Sequence, residues 1–192
     1  TCSPGTASAS MSVDRVVAAL LRIAAADLAD ARILRGLLEG VRLDAGRLAD
    51  LSIALSTKDT AALAGFADAL APPIFGALTR LTTLYGAADG LAAVQQSLPA
   101  HPLIQQALAD LAWLVAHVRH AYPDVQIGFD LADLSGYAYY SGLRFAIYVP
   151  GASDALVRGG RYDEVGAVFG RKRPAAGFSL DLKEVVAVVP AL

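Results

Sequence analysis

The stretch S-G-Y-A-Y-Y-S-G-L-R-F-A-I-Y-V (residues 135–149) decides how this chain is read, together with R-G-G-R-Y-D-E-V-G (158–166) and P-A-A-G-F-S-L-D-L-K-E (174–184). Tyr, Arg, Gly and Ser concentrate here, whereas the rest of the chain is rich in Ala and Leu. From Tyr137 onward the bulky residues fall at every second position, which predicts a half-buried strand. Leu143, Phe145, Ile147 and Val149 would face a core, and Tyr140, Arg144 and Tyr148 the other side. One face thus builds the interior, while the other offers phenols and a guanidinium.

The flanks continue the pattern. Val125 to Leu131 alternates and predicts a strand leading in, followed by a turn over Leu131 to Gly136. Pro150 to Asp154 reads as a hairpin loop, and Ala155 to Arg158 as a short returning strand. Gly159-Gly160 allows either a sharp turn or a close backbone approach, because no side chain obstructs it; spacing alone favours a turn that breaks the strand. Arg161 to Phe169 then predicts a helix and Pro174 to Leu180 a last strand. Asp181, with Glu184 three residues on, has the form of a capping box for a closing helix that stops at Pro190.

Upstream, Thr1 to Ser10 are small and polar, and residues 1–12 read as a disordered end or a cloning remnant. Residues 13–29 form a first core segment: V-D-R-V-V-A-A-L begins like a helix, while Leu20 to Ala26 fits a buried strand equally well. Residues 30–123 read as helical almost throughout and as an insertion packed beside the sheet of 124–192. Within the insertion, Asp30–Val41, Asp44–Leu55, a segment capped by Thr57 or Asp59, Ile74–Tyr85, Leu91–Leu98 and Pro102–Tyr122 are the expected helices. Pro72-Pro73 is read as punctuation, Gly86 as a helix stop, and Trp113 with Leu114 and Val118 as core.

Composition narrows the function. Hydrophobic residues make up 55%, with no uncharged apolar run long enough to span a membrane. A net charge of -2 without a basic block argues against a nucleic-acid surface. The single cysteine, Cys2, fits a reducing cytoplasmic setting and excludes a cysteine-built metal site. His117 and His120 share a helix face, but they lack a third ligand and read as ordinary surface histidines.

Each glycine or tyrosine signal is weak alone; their order and spacing together are specific. Residues 135–146 resemble the histidyl-tRNA synthetase signature R-G-L-D-Y-Y-T with its following apolar strand, and Gly159 to Asp163 matches G-G-R-Y-D without change. Gly177 to Glu184 lies where those enzymes carry G-F-A-x-G-x-E-R. The synthetase-like regulatory subunits of ATP phosphoribosyltransferase are more similar still, with G-Y-x-Y-x-S-G, A-R-G-G-R-Y-D-E and P-A-T-G-F-S-L-D-L. The resemblance covers roughly residues 13–192, including L-A-D-A-R-I-L-R-G-L, and is specific after Gly128.

The resemblance implies an α+β fold: a class II aminoacyl-tRNA synthetase-like antiparallel sheet with a large helical insertion. It also implies a vestigial histidine-binding pocket at Tyr139, Tyr140, Gly159, Gly160, Arg161 and Tyr162. The synthetase arginines fall on Ser135 and Glu184, and the last motif's second glycine on Asp181. A carboxylate where a triphosphate should sit is repulsive, and losing preorganised positive charge removes the main source of rate enhancement. The expectation is therefore a non-catalytic, cofactor-free regulatory subunit. Its implied partners are the short-form catalytic subunit of ATP phosphoribosyltransferase, further copies of itself and L-histidine as effector. A histidyl-tRNA synthetase fragment and a ligand-free interaction module are the alternatives. The segments for the first two class II motifs are missing, so the chain is expected to be a fragment.

Overall fold

The computed structural model describes residues 24–188. The expectations for residues 1–12 (with Cys2), for 13–23 and for Pro190 lie outside the described residues. The sheet has six strands in the order β2-β3-β1-β4-β5-β6. These are β1 (Ala25–Asp30), β2 (Tyr85–Ala87), β3 (Gln126–Asp130), β4 (Leu143–Tyr148), β5 (Val157–Arg161) and β6 (Ala176–Leu180). The ambiguous first segment is thus a strand from Ala25 onward. These neighbours all run antiparallel except β1 and β3, which pair in parallel from Ala25–Gln126 to Leu28–Phe129. That pair is parallel because the chain leaves β1, runs through the helices and re-enters from the same end.

Those helices are α1 (Ala31–Leu37), α2 (Ala45–Ser56), α3 (Thr60–Ala64), α4 (Pro72–Leu81), α5 (Leu91–Val94) and α6 (Pro102–Ala121). Side-chain oxygens of Asp30, Asp44 and Asp59 accept first-turn N–H groups of α1, α2 and α3, so aspartates set three of the starts. Pro72 and Pro73 open α4 rather than punctuate the chain, since a first-turn proline gives up no helical hydrogen bond. α6 is the longest. It begins at His101, whose ring accepts the Leu103 N–H, and buries Ile104, Ala107, Leu108, Leu111 and Val115 at helical spacing. Each large aliphatic so buried contributes roughly 1.5–3 kcal/mol of transfer free energy. Leu28, Phe129 and Leu131 join these side chains and Ile33, Leu34, Leu51, Leu55 and Leu81 in one core.

Several expectations change. Trp113 is not core: it lies off the α6 stripe, 61% exposed, with its ring stacked 3.8 Å from His117. Leu114 and Val118 do pack against the core. The helix expected over Ile74–Tyr85 stops at Leu81, and Tyr85–Ala87 becomes edge strand β2. Gly86 stands at φ 145 there, and the strand borrows its partner from β3, a pairing that local periodicity does not show. Gly159-Gly160 does not break its strand: β5 continues to Arg161, with Gly159 opposite Phe145 and Gly160 opposite Arg144. The helix expected over Arg161–Phe169 shrinks to a 3-10 turn at Val165–Phe169. Tyr162 instead extends the ladder, donating its N–H to the Ala175 carbonyl at 2.8 Å.

At the end of the chain α7 (Leu182–Val188) is capped by Asp181, whose carboxylate accepts the N–H groups of Lys183 and Glu184. The reciprocal half of a capping box is not made. The Asp181 N–H donates to the Leu156 carbonyl, and Glu184 accepts the Ser153 hydroxyl at 2.9 Å and its N–H at 3.2 Å. No helix among the described residues is long and apolar enough to cross a membrane.

Candidate functional site

The strand register sorts the sheet into two faces, because paired residues share a side. Leu28, Phe129, Phe145, Gly159 and Phe178 align on the face that carries the helices. Arg144, Gly160 and Gly177 align on the opposite face, as do Asp27, Gly128, Ala146, Arg158 and Ser179. The expected alternation in β4 is therefore present, but its polar side is not open. Arg144 is only 5% exposed, less than Leu143 or Phe145, because the loop before β4 closes over it.

The double glycine is a floor for two aromatic rings. A Cβ on Gly159 would lie 2.6 Å from the Phe145 ring, and one on Gly160 would lie 2.7 Å from the Tyr140 ring, on the other face. One residue over, Gly177 makes room for the Tyr162 hydroxyl. Tyr139 closes the row: its ring centroid is 5.0 Å from that of Tyr162 and 5.3 Å from Tyr140, edge-on to the latter. Such contacts are worth about 0.5–1.5 kcal/mol beyond the area they bury. Tyr139 itself remains half exposed.

Tyr139, Tyr140, Gly160 and Tyr162 thus meet on one face. Gly159 and Arg161 do not join them, since odd positions of β5 point to the helical side. Arg161 donates to Asp163 at 2.7 Å, and the Asp163 carboxylate accepts the Ala175 N–H at 2.9 Å. Ser141 stitches the same corner, accepting the Asp163 N–H and donating its own N–H to the Arg161 carbonyl. In G-G-R-Y-D the arginine and aspartate fasten a turn, whereas Gly160 and the tyrosine shape the face.

Two supporting groups lie outside the three signature motifs. Arg35 of α1 donates to the carbonyls of Tyr140 and Ser141, each at 3.0 Å, and its guanidinium lies 5.8 Å from the Tyr137 ring centre. Asp133 pairs with Arg144, accepts the Ser135 hydroxyl at 2.7 Å, and is linked again through its carbonyl, which accepts from Arg144 Nη1 at 2.8 Å. Burial works to raise the Asp133 pKa, but the hydrogen bonds from Arg144 and Ser135 outweigh it and hold the carboxyl below its ordinary range.

Farther along the same face an open groove of about 850 Å³ runs over β2, β3 and β1. Asp27 lies on its floor, where Gly128 leaves space for the carboxylate. Desolvation, then the charges of Asp130 and Asp133, push the Asp27 pKa up. Asp130 is held at 2.5 Å by Lys58, whose ammonium lies 4.8 Å from the Tyr85 ring centre. Among the described residues no group of three or more His, Cys, Asp or Glu side chains is placed to hold a metal ion. His101 bonds Glu39 at 2.6 Å, and His117 Nδ1 donates to the Trp113 carbonyl at 2.7 Å.

Over 165 residues the chain is 55% identical to an ATP phosphoribosyltransferase regulatory subunit of Variovorax paradoxus, a match covering 86% of this chain and 42% of that protein. The chain therefore spans less than half the length of that relative. Its fold superposes with TM-score 0.69 and 23% identity on an ATP phosphoribosyltransferase regulatory subunit/histidyl-tRNA synthetase from Bacillus halodurans, covering 94% of this chain and 47% of the other. It also superposes, with TM-score 0.63 and 15% identity, on a chain of the ATP phosphoribosyl transferase (HisG:HisZ) complex from Thermotoga maritima, covering 88% and 58%. The mixed sheet and its helices are thus a class II synthetase-like α+β fold. Residues 7–185 match the model of the histidyl-tRNA synthetase family, and the chain belongs to that family.

Proposed function

We propose that this chain is part of a non-catalytic regulatory subunit of ATP phosphoribosyltransferase. It works with the short catalytic subunit in the cytoplasm, as a homo-oligomer, and carries feedback by L-histidine in the first step of histidine synthesis. The observation that carries the reading is what occupies the two positions where the synthetase pattern has arginines. Ser135 donates to Asp133, and Glu184 is engaged by Ser153 at the foot of α7. A hydroxyl and an acid supply no positive charge to an activated phosphate, and the acid repels one. The tyrosine row remains, so the face keeps an aromatic lining for a small ring-bearing ligand (Tyr139, Tyr140 and Tyr162) while losing the adenylation machinery. Feedback then requires two assembly states that bind histidine with different affinity.

The test is co-purification of the full-length protein with a short catalytic subunit, followed by an activity assay with and without histidine. The expected outcome is activation of the partner and loss of that activity on adding histidine. Tyr140→Ala and Tyr162→Ala should each weaken histidine binding about tenfold or more, read by calorimetric titration. Histidine-dependent pyrophosphate exchange by the protein alone would replace this reading with an active synthetase. Absence of any histidine binding would leave a ligand-free interaction module.

A further inference from the structure

Arg144 is the residue of the polar sheet face whose burial the fold does not fully explain. Its side chain is 6% exposed, yet only one edge of the guanidinium is matched, by the carboxylate and carbonyl of Asp133. Among the described residues Nε is buried without a hydrogen-bond partner. Leaving a charged donor desolvated and unmatched is costly, and native proteins keep such groups where a ligand or ordered water completes them. The guanidinium lies 6.0 Å from the centre of the Tyr140 ring, beside Gly160 on the paired strand. The guanidinium therefore lies beside Tyr140, beneath the loop before β4, with Gly160 next to it on the paired strand.

We propose that Arg144 anchors the carboxylate of the small amino-acid ligand whose side chain lies along Tyr139, Tyr140 and Tyr162. Asp133 holds the guanidinium in place when the face is empty and competes with the incoming carboxylate for its charge. Ser135, by donating to Asp133, sets how strongly it competes. The inference rests on the histidine-binding reading above and adds the group that selects an α-carboxylate.

The experiment uses the full-length protein and two probes, L-histidine and histamine, which shares the imidazole and amine but lacks the carboxylate. Titration calorimetry reads the ratio of their affinities, and thermal denaturation reads folding separately. The wild-type protein should prefer histidine. Arg144→Gln should reduce that preference about tenfold or more by weakening histidine while leaving histamine nearly unchanged. Asp133→Asn should move the ratio the other way, because the competing charge is gone. A purely structural Arg144 predicts no change of ratio in either variant, only a lower melting temperature. Should Arg144→Gln fail to fold, the Asp133→Asn ratio decides alone. Histidine binding by the wild type with an unmoved ratio overturns this inference and leaves the functional reading standing; no binding of histidine overturns both.

Discussion

Gly160→Ala isolates the role of the double glycine. The new methyl group would lie 2.5 Å from the Leu143 carbonyl oxygen and 2.7 and 2.8 Å from two carbons of the Tyr140 ring. The ring can turn aside, but the carbonyl belongs to the paired strand and cannot. Restoring an ordinary carbon–oxygen contact of about 3.3 Å requires β4 and β5 to separate by most of an ångström. That stretches neighbouring ladder bonds beyond hydrogen-bond range; one at risk is Ser141 N–H to Arg161 carbonyl, 2.8 Å long. One or two lost bonds at about 1 kcal/mol each, plus overpacking of about 1–2 kcal/mol, predict a destabilisation of about 2–4 kcal/mol. Urea denaturation of the purified chain measures this as a lower midpoint with unchanged slope. Gly76→Ala is the internal control. Its methyl would meet nothing within 4 Å on an exposed turn of α4, so the same chemical change should stabilise by about 0.5–1 kcal/mol. If Gly160→Ala is no less stable than wild type, Gly160 is a flexible link rather than a ring floor, and the account of the face fails.

Asp27→Asn should raise the melting temperature at neutral pH. The folded-state pKa of Asp27 is raised above its ordinary 3.8, so its favourable contribution is present below that pH and lost as the pH rises through the folded value. The gain from asparagine should therefore vanish when both proteins are melted in acid below 3.8, and a pH-independent gain would contradict it. Asp30→Ala removes a carboxylate only 1% exposed that caps α1 and pairs with Arg32 at 2.7 and 3.0 Å. Losing the cap and stranding the Arg32 charge predicts a cost of about 3–5 kcal/mol by chemical denaturation. A loss under about 1 kcal/mol would mean that Asp110, the other partner of Arg32 at 2.8 Å, carries the charge alone.

What the residues declare alone is local chemistry with a period. The alternation of β3 and β4, the 3.6-residue stripe of α6, and the aspartates opening three helices all lie within a few residues of the atoms they govern. The ordered motifs point to the family for the same reason, since glycine and tyrosine spacing along a strand survives as spacing in the sheet. Tertiary structure decided the rest, where the partner is distant in sequence. Tyr85–Ala87 becomes a strand only because β3 lies beside it, and Gly159-Gly160 stays extended because Phe145 and Tyr140 claim its two faces. The split of G-G-R-Y-D into a face and a fastener, and the burial of Arg144 against Asp133, depend on strand register. Shifting that register by one residue would exchange the two faces, and no local propensity encodes it.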